Sequence, residues 1–299
     1  MNSNPLVSIG VLSYNNSKYL QETLNSLKNQ SYNNIEIVVN DDASTDNSKE
    51  IINEWAKTVT NAKVLIANTN QGICKSLNKI ITHCTGDYIC MIASDDYYEP
   101  DFVAKRVDFL SKTNADVGAC YSWSKIIYED GRDLHFEKRE ETPSGFIFDF
   151  ISSGVSSLAK PLTLMVKKEV YLNDGLYDEN LYYEDLDWFL RISQKYKFLF
   201  FDSYDTVYRE RAGSLGTKIF TTPKGIESQL KIIRKNKGVS KIGDKNLDKR
   251  LRFLTRKSWN ISKTLCFKVA NERNKLFPSL EAKLLYLTLL PFKNKEQRL

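Results

Sequence analysis

Histidine is nearly absent from this 299-residue chain, and its two copies, His83 and His135, stand too far apart to build a histidine metal site. The five cysteines (Cys74, Cys84, Cys90, Cys120 and Cys266) are odd in number and scattered, with no Cys-x-x-Cys pair. That pattern excludes a disulfide scaffold and a zinc ribbon and suits a reducing cytosol. Long apolar runs are missing as well. The longest, residues 284–292, is about half of the ~20 residues a spanning helix needs. No basic segment precedes the apolar residues 6–12, so no signal peptide is expected, and the chain is expected in the cytosol. Internal repeats and low-complexity segments are also lacking.

What is present is an ordinary globular composition, long enough for a large core and for more than one simple domain. The reading is an α/β catalytic domain over residues 1–223 and a basic, mainly helical region over 224–299. Charge divides the same way. The chain carries 43 Lys+Arg against 37 Asp+Glu; from Lys224 onward there are 20 against 6, which leaves 23 against 31 before it. An acidic front points to a metal site, and a basic tail to an anionic partner.

Apolar runs at residues 6–12, 35–39, 64–67 and 88–93 read as buried strands. Amphipathic helices alternate with them, over residues 18–30 (with Leu20, Leu24 and Leu27 on one stripe), from near Ser48, and after Gly72 through Ile81. This alternation implies a mostly parallel, Rossmann-like sheet covered on both faces, with ligands beyond the carboxyl ends of its strands. Further strands are expected at 118–123, 125–128, 162–166, 198–201 and 206–209, the last two closing the sheet. A turn is expected at Asp130-Gly131 and a polar loop over 132–144. A helix begins within 181–192, and the chain turns helical and basic after Gly225.

Two of the first four strands end in paired carboxylates. Asp41 and Asp42 either cap the following turn and helix or accept hydrogen bonds from a nucleobase or ribose. Asp95 and Asp96 repel each other unless a cation or donor offsets them, which favours a hard divalent ion, Mn²⁺ or Mg²⁺, over a solvated loop pair. Glu184-Asp185, beside Tyr183 and ahead of Leu186-Asp187-Trp188-Phe189, offers either a general base raised by partial burial or a helix N-terminus.

In order, Val7-Ser8-Ile9, Ser13-Tyr14-Asn15, Val39-Asn40-Asp41-Asp42-Ala43-Ser44-Thr45-Asp46, Asn70-x-Gly72, Gly86-Asp87-Tyr88-Ile89, Asp95-Asp96 and Glu184-Asp185 span about residues 6–215. Together they resemble the family 2 inverting glycosyltransferases of GT-A fold, of the bacterial surface-polysaccharide type. The resemblance implies a nucleotide-sugar site. In it Ser13, Tyr14 and Asn15 cradle the base, Asp42 beside Asp41 contacts a uracil, and Asp95 lies near the ribose. Gly72, Lys75, Arg209 and Arg211 complete that set. It further implies that Asp96, with Asp95, holds Mn²⁺ or Mg²⁺ on the diphosphate. Asp185, with Glu184, supplies the base for a single in-line displacement with inversion.

Three departures from the family pattern stand out. Leu77 occupies a frequent arginine position, ahead of Asn78. Tyr208-Arg209-Glu210-Arg211 stands where Tyr-Arg-x-His is common, so Arg211 takes the histidine's place; arginine cannot bind a metal but can pair with phosphate. A Gln-x-x-Arg-Trp motif is missing, which argues for addition of one sugar.

The expected donor is therefore a nucleotide-sugar, a UDP-sugar first. The expected acceptor is a glycan or lipid-linked molecule of O-antigen or capsule type. The basic tail reads either as a helix packed on the domain with a solvated face or as an attachment to an anionic membrane surface, placing the protein peripherally on the inner face. No nucleic-acid module accompanies its charge, so nucleic acid is not an expected partner. The rival readings are a sugar-phosphate nucleotidyltransferase, whose Gly-rich, Arg-containing first loop is missing from Ser13-Tyr14-Asn15-Asn16, and a non-catalytic glycan-binding relative.

Overall fold

The computed structural model describes residues 4–129, 135–137, 141–153, 160–183, 185–211 and 219–293. Glu184, the turn at Asp130-Gly131 and part of the polar loop at 132–144 lie outside them. The elements begin with β1 (Val7–Ser13), α1 (Ser17–Lys28), β2 (Ile35–Asp41), α2 (Ser48–Ala56), β3 (Ala62–Ile66), α3 (Ile73–His83) and β4 (Tyr88–Ala93). Next come β5 (Tyr97–Tyr98), α4 (Phe102–Ser111), β6 (Val117–Tyr121), β7 (Lys125–Tyr128), β8 (His135–Phe136), α5 (Phe148–Ser152), β9 (Met165–Lys167) and α6 (Lys168–Asp174). The order closes with α7 (Asp185–Ile192), β10 (Lys197–Phe200), β11 (Thr206–Glu210), α8 (Pro223–Asn236), α9 (Lys241–Trp259), α10 (Lys263–Leu276) and α11 (Leu280–Leu289).

These elements form two compact units. The first comprises Met1–Ile147, Leu158–Glu179 and Ile192–Ala212; the second comprises Phe148–Ser157, Asn180–Arg191 and Gly213–Leu299. The linear boundary expected at 223/224 therefore differs from the packing, because two earlier segments join the helical region. Local contacts within the second unit explain this. Asn246 donates to the Asp149 carbonyl (2.9 Å), Tyr182 N–H to Ser228 Oγ (2.8 Å), and Lys235 pairs with Asp187 (3.0 Å).

The first unit holds a seven-stranded sheet ordered β10-β6-β9-β4-β1-β2-β3. β1 lies parallel between β2 and β4, as unbroken apolar strands covered on both faces should. Val7, Ile9 and Val11 face a core with Ile37, Val39, the Leu20-Leu24-Leu27 stripe of α1, and Phe102, Val103 and Leu110 of α4. Gly10 points to the opposite face, where a Cβ would lie 2.4 Å from Ile80 and 2.5 Å from Met91, so its missing side chain lets α3 pack closely.

Two strand readings need correction. Residues 162–166 are not one strand: Pro161–Thr163 forms a 3₁₀ turn, which proline's fixed φ favours, and Met165–Lys167 follows as a strand antiparallel to β4 and β6. The last two strands do not close one sheet either. β10 is the edge of the large sheet, whereas β11 lies in a separate four-stranded sheet ordered β5-β11-β7-β8. Within the expected polar loop, His135 and Phe136 pair with Ile126 and Lys125 as β8.

In the second unit α8 to α11 each begin at a Ser or Thr cap. Thr222, Ser240, Ser262 and Ser279 each accept from the backbone N–H three residues on, and Pro223 follows Thr222 at the first helical position. Ile226, Leu230, Ile233, Leu247, Leu251, Leu254, Leu265 and Val269 form its core. α11 buries Ala282 and Leu289 on one side yet leaves Leu280, Leu284 and Leu287 exposed at 75%, 56% and 47%.

Candidate functional site

Parallel register sets Ser13 beside Asp41 and Leu12 beside Ala93, so the residues that follow β1, β2 and β4 emerge together at one end of the sheet. Two of them, Asn15 (φ 50°) and Ala43 (φ 65°), hold left-handed backbone, which non-glycine residues adopt at a cost of roughly 1–2 kcal/mol. Hydrogen bonds hold both turns in place: Asn15 N–H donates to Ser44 Oγ (2.9 Å), Thr45 N–H to Asn15 Oδ1 (2.8 Å), and Ser17 N–H to Asp46 (2.9 Å). Deep at this edge, Ser13 Oγ and both side-chain polar atoms of Asn40 are buried without a partner among the described residues. Such atoms either destabilise by about 1–3 kcal/mol or are satisfied by a ligand.

The carboxylates of the first pair have local partners. Asp41 accepts from Ser44 N–H (2.8 Å) and Ser44 Oγ (2.5 Å), which is the turn-capping role. Asp42 accepts from Gln71 N–H (2.8 Å) and Gly72 N–H (3.0 Å), tying the end of β2 to the turn that opens α3. Gly72 has φ 85°, so glycine is what allows its amide to aim at Asp42. Each carboxylate oxygen has a second lone pair, so Asp42 can still receive a ligand N–H. Tyr14 is exposed at 46%, an aromatic face open to a base, and Lys75 projects from the first turn of α3 into solvent.

The second pair connects the two sheets of the unit. Ser94, Asp95 and Asp96 link β4 to β5, and β11 runs beside β5. Asp96 is buried; its Oδ1 accepts from Arg209 N–H (2.8 Å), and its carbonyl accepts from Thr23 Oγ1 (2.7 Å). Asp95 pairs with Arg211, Nη2 to Oδ2 at 2.6 Å. Burial, then the neighbouring Asp95 charge, pushes Asp96 well above the usual carboxylate range. Burial also raises Asp95, against the pull of Arg211. The same field helps burial carry the Tyr208 phenol up to about 12.

Asp96 keeps its second oxygen free of protein donors among the described residues. No group of three or more His, Cys, Asp or Glu able to hold a metal occurs among those residues. Two carboxylates suit Mg²⁺ or Mn²⁺, which bind through one or two carboxylates and complete their shell with water and substrate phosphate. The donor set therefore fits the expected ion.

Several residues escaped the sequence reading. Asn16 bridges Ser94 Oγ (2.9 Å) and Arg211 (2.7 Å). The Tyr19 ring lies 4.4 Å from the Arg209 guanidinium carbon, and Glu22 pairs with Arg209 at 2.6 Å. Lys160, on a distant segment, adds positive field at Asp96 and stands 4.2 Å from the Tyr208 ring. Asn16 lay within the quoted turn; no local pattern marks the other three. Asn78 fixes the Tyr177 backbone through two hydrogen bonds of 2.9 Å, and Leu77 is buried beside it.

Asp185 belongs to the second unit, as the first residue of α7. Asp187, two positions on, is buried between Arg191 and Lys235, each at 3.0 Å, and is a structural carboxylate.

The sequence model described as Glycosyl transferase family 2 matches residues 8–169. An uncharacterized glycosyltransferase of Rickettsia typhi is 30% identical over 197 residues, 64% of this chain and 61% of its own length. Glycosyltransferase GlyG of Streptococcus pneumoniae is 28% identical over 222 residues, 70% of this chain and 72% of its own. The chain thus spans well under the full length of such relatives, 41% in the case of the Bacillus subtilis putative glycosyltransferase EpsE. Among solved structures, residues 1–349 of S. aureus TarS share the fold at a TM-score of 0.71 and 18% identity, over 98% of this chain and 91% of that one. The mannosyltransferase PcManGT of Pyrobaculum calidifontis, solved with GDP-Man and Mn²⁺, gives 0.63 at 19% identity, over 96% and 80%.

Proposed function

The chain belongs to glycosyl transferase family 2, and from that premise we propose that it moves one sugar, with inversion, from a nucleoside-diphosphate sugar to a glycan or lipid-linked acceptor of bacterial surface polysaccharide. The observation that carries this reading is the Asp95-Asp96 pair at the carboxyl end of a parallel sheet, where Asp96 is buried beside a second, partly buried carboxylate. A UDP-sugar is the favoured donor. TarS has been solved with UDP-GlcNAc and PcManGT with GDP-Man, which supports a nucleotide-sugar donor without choosing the base.

In this reading Tyr14 stacks the base, Asp42 accepts a base N–H, and Ser13 Oγ meets a donor polar atom. Asp95 and Asp96 hold Mn²⁺ or Mg²⁺, which when bound stabilises the charge on the leaving diphosphate. Arg209 fixes the Asp96 carboxylate through its backbone N–H. Asp185 takes the acceptor's proton; loss of such a base lowers the rate by about 10²–10⁴-fold.

The outer leucines of α11, beside the exposed Lys283 and Lys293, favour attachment to an anionic membrane surface, where a lipid-linked acceptor resides. No helix among the described residues is long and apolar enough to cross a membrane.

Donor hydrolysis measured across UDP-, GDP- and dTDP-sugars, with Mn²⁺ and with EDTA, tests the proposal. Metal-dependent release of one nucleotide is expected. Undiminished turnover in EDTA would overturn the role of Asp95 and Asp96. Full activity of Asp185→Asn would remove Asp185 as base, and equal binding to neutral and anionic vesicles would remove electrostatic attachment.

A further inference from the structure

Arg209 lies near the end of β11 and Arg211 just beyond it, and Arg211 is the more open of the two, at 27% against 11%. Arg209 faces away from the paired carboxylates: its guanidinium pairs with Glu22 (2.6 Å), donates to the Asp95 carbonyl (3.0 Å) and lies over Tyr19. Arg211 makes two polar contacts, Nη2 to Asp95 Oδ2 at 2.6 Å and Nη1 to Asn16 Oδ1 at 2.7 Å. Its remaining N–H donors meet no acceptor among the described residues, and the side chain is partly open to solvent, at 27%. Asn16, in turn, is fixed by Ser94 Oγ and Ser48 Oγ. Arg211 is therefore a partly exposed cation held between Asp95 and Asn16.

The oxygen that Arg211 holds belongs to one of the two carboxylates proposed as ligands for a divalent ion. A guanidinium and a divalent cation on one carboxylate repel each other. A diphosphate, by contrast, presents oxygens that match the planar guanidinium fork in a bidentate manner. We infer that Arg211 is the resident counter-ion of Asp95 and changes partner when a nucleoside diphosphate binds, turning its donors to the diphosphate and freeing Asp95 for the metal. This rests on the donor-site reading above and adds to it an exchange of partners within the chain's own residues. Asn16 is the pivot: it keeps the guanidinium near the sheet edge while the carboxylate is exchanged.

The test uses binding, not turnover. With EDTA present, calorimetry compares UDP with uridine for the wild type, Arg211→Ala and Arg211→Lys. The wild type should prefer UDP, and Arg211→Ala should weaken UDP by roughly 10- to 100-fold while leaving uridine unchanged, which also shows an intact fold. Arg211→Lys keeps the charge without the fork and should fall between. Without nucleotide, Mn²⁺ titrated by electron paramagnetic resonance should bind Arg211→Ala more tightly than the wild type, because a competitor for Asp95 has gone. An unchanged UDP-to-uridine ratio in Arg211→Ala, or weaker Mn²⁺ binding by that variant, would overturn the inference. A wild type that binds neither uridine nor UDP, with or without Mn²⁺, would instead remove the donor-site reading itself.

Discussion

Replacing Asp205 by alanine should destabilise the first unit far more than its distance from any ligand would suggest. Arg106 is fully buried, and Asp205 is 2% exposed. Nη1 of Arg106 lies 2.8 Å from Asp205 Oδ1 as an ionic contact rather than an aligned hydrogen bond, and it also donates to the Phe102 carbonyl (3.3 Å). Nη2 donates to Ser122 Oγ (2.6 Å), Nε to the Thr163 carbonyl (3.2 Å), and the Phe102 ring sits 3.8 Å from the guanidinium carbon. Asp205→Ala leaves this arginine charged and unpaired in the core. Breaking such a pair costs about 3–5 kcal/mol, equivalent to roughly 6–20 °C in Tm for a unit of this size. Because Asp205 immediately precedes β11, the strand that carries Arg209 and leads into Arg211, UDP affinity should weaken as well. Urea denaturation measures the loss, and hydrogen exchange resolved to α4 and β11 localises it. The double variant Arg106→Leu, Asp205→Leu removes both charges and should recover much of the loss. A single variant within about 1 kcal/mol of wild type, or a double variant no better than the single, would refute the account.

Three further outcomes follow from the site and its frame. Ala43→Gly relieves left-handed backbone and should raise stability by about 0.5–1 kcal/mol, read as a higher denaturation midpoint; a lower one would mean the methyl group's packing dominates. Asp96→Asn should abolish metal-dependent turnover, by at least ~10²-fold, yet raise Tm at neutral pH, since burial and Asp95 oppose its charge; a lower Tm would contradict that electrostatic picture. Burial opposes ionisation of Glu36, but hydrogen bonds from Lys63, Ser8 and Thr85 outweigh it and hold the carboxyl at about 2, against an ordinary 4.5. A lowered acid pKa means this stabilisation is complete above 4.5 and is lost as pH falls toward 2. Glu36→Gln should therefore flatten the acid limb of a stability–pH curve between those values, and an unchanged limb would exclude the effect.

The parallel half of the fold was readable because its signals are local. Unbroken apolar runs marked β1, β2 and β4, and the leucine stripe of α1 needed no tertiary information. The second sheet was not readable, since β11 pairs with a two-residue strand, β5, that carries no periodicity of its own. The acidic pair announced itself by adjacency and strand position. The groups around its arginines did not: Asn16 reaches Arg211, Tyr19 reaches Arg209, and Lys160 adds its charge at Asp96, through folding alone. Asp41 and Asp42 look equivalent in sequence, yet the first closes its own turn and the second reaches Gln71 and Gly72.

The junction at Asp95-Asp96 also bears on how such a site diversifies. The acidic pair is contributed by consecutive residues, whereas the groups that balance it leave a strand more than a hundred positions later. Substitutions at the exit of β11 can therefore retune the charge around this pair while the turns after β1 and β2 keep their backbone. Ancestral variants, or chimaeras exchanged at β11 alone, would sample new donor preferences on an unaltered scaffold.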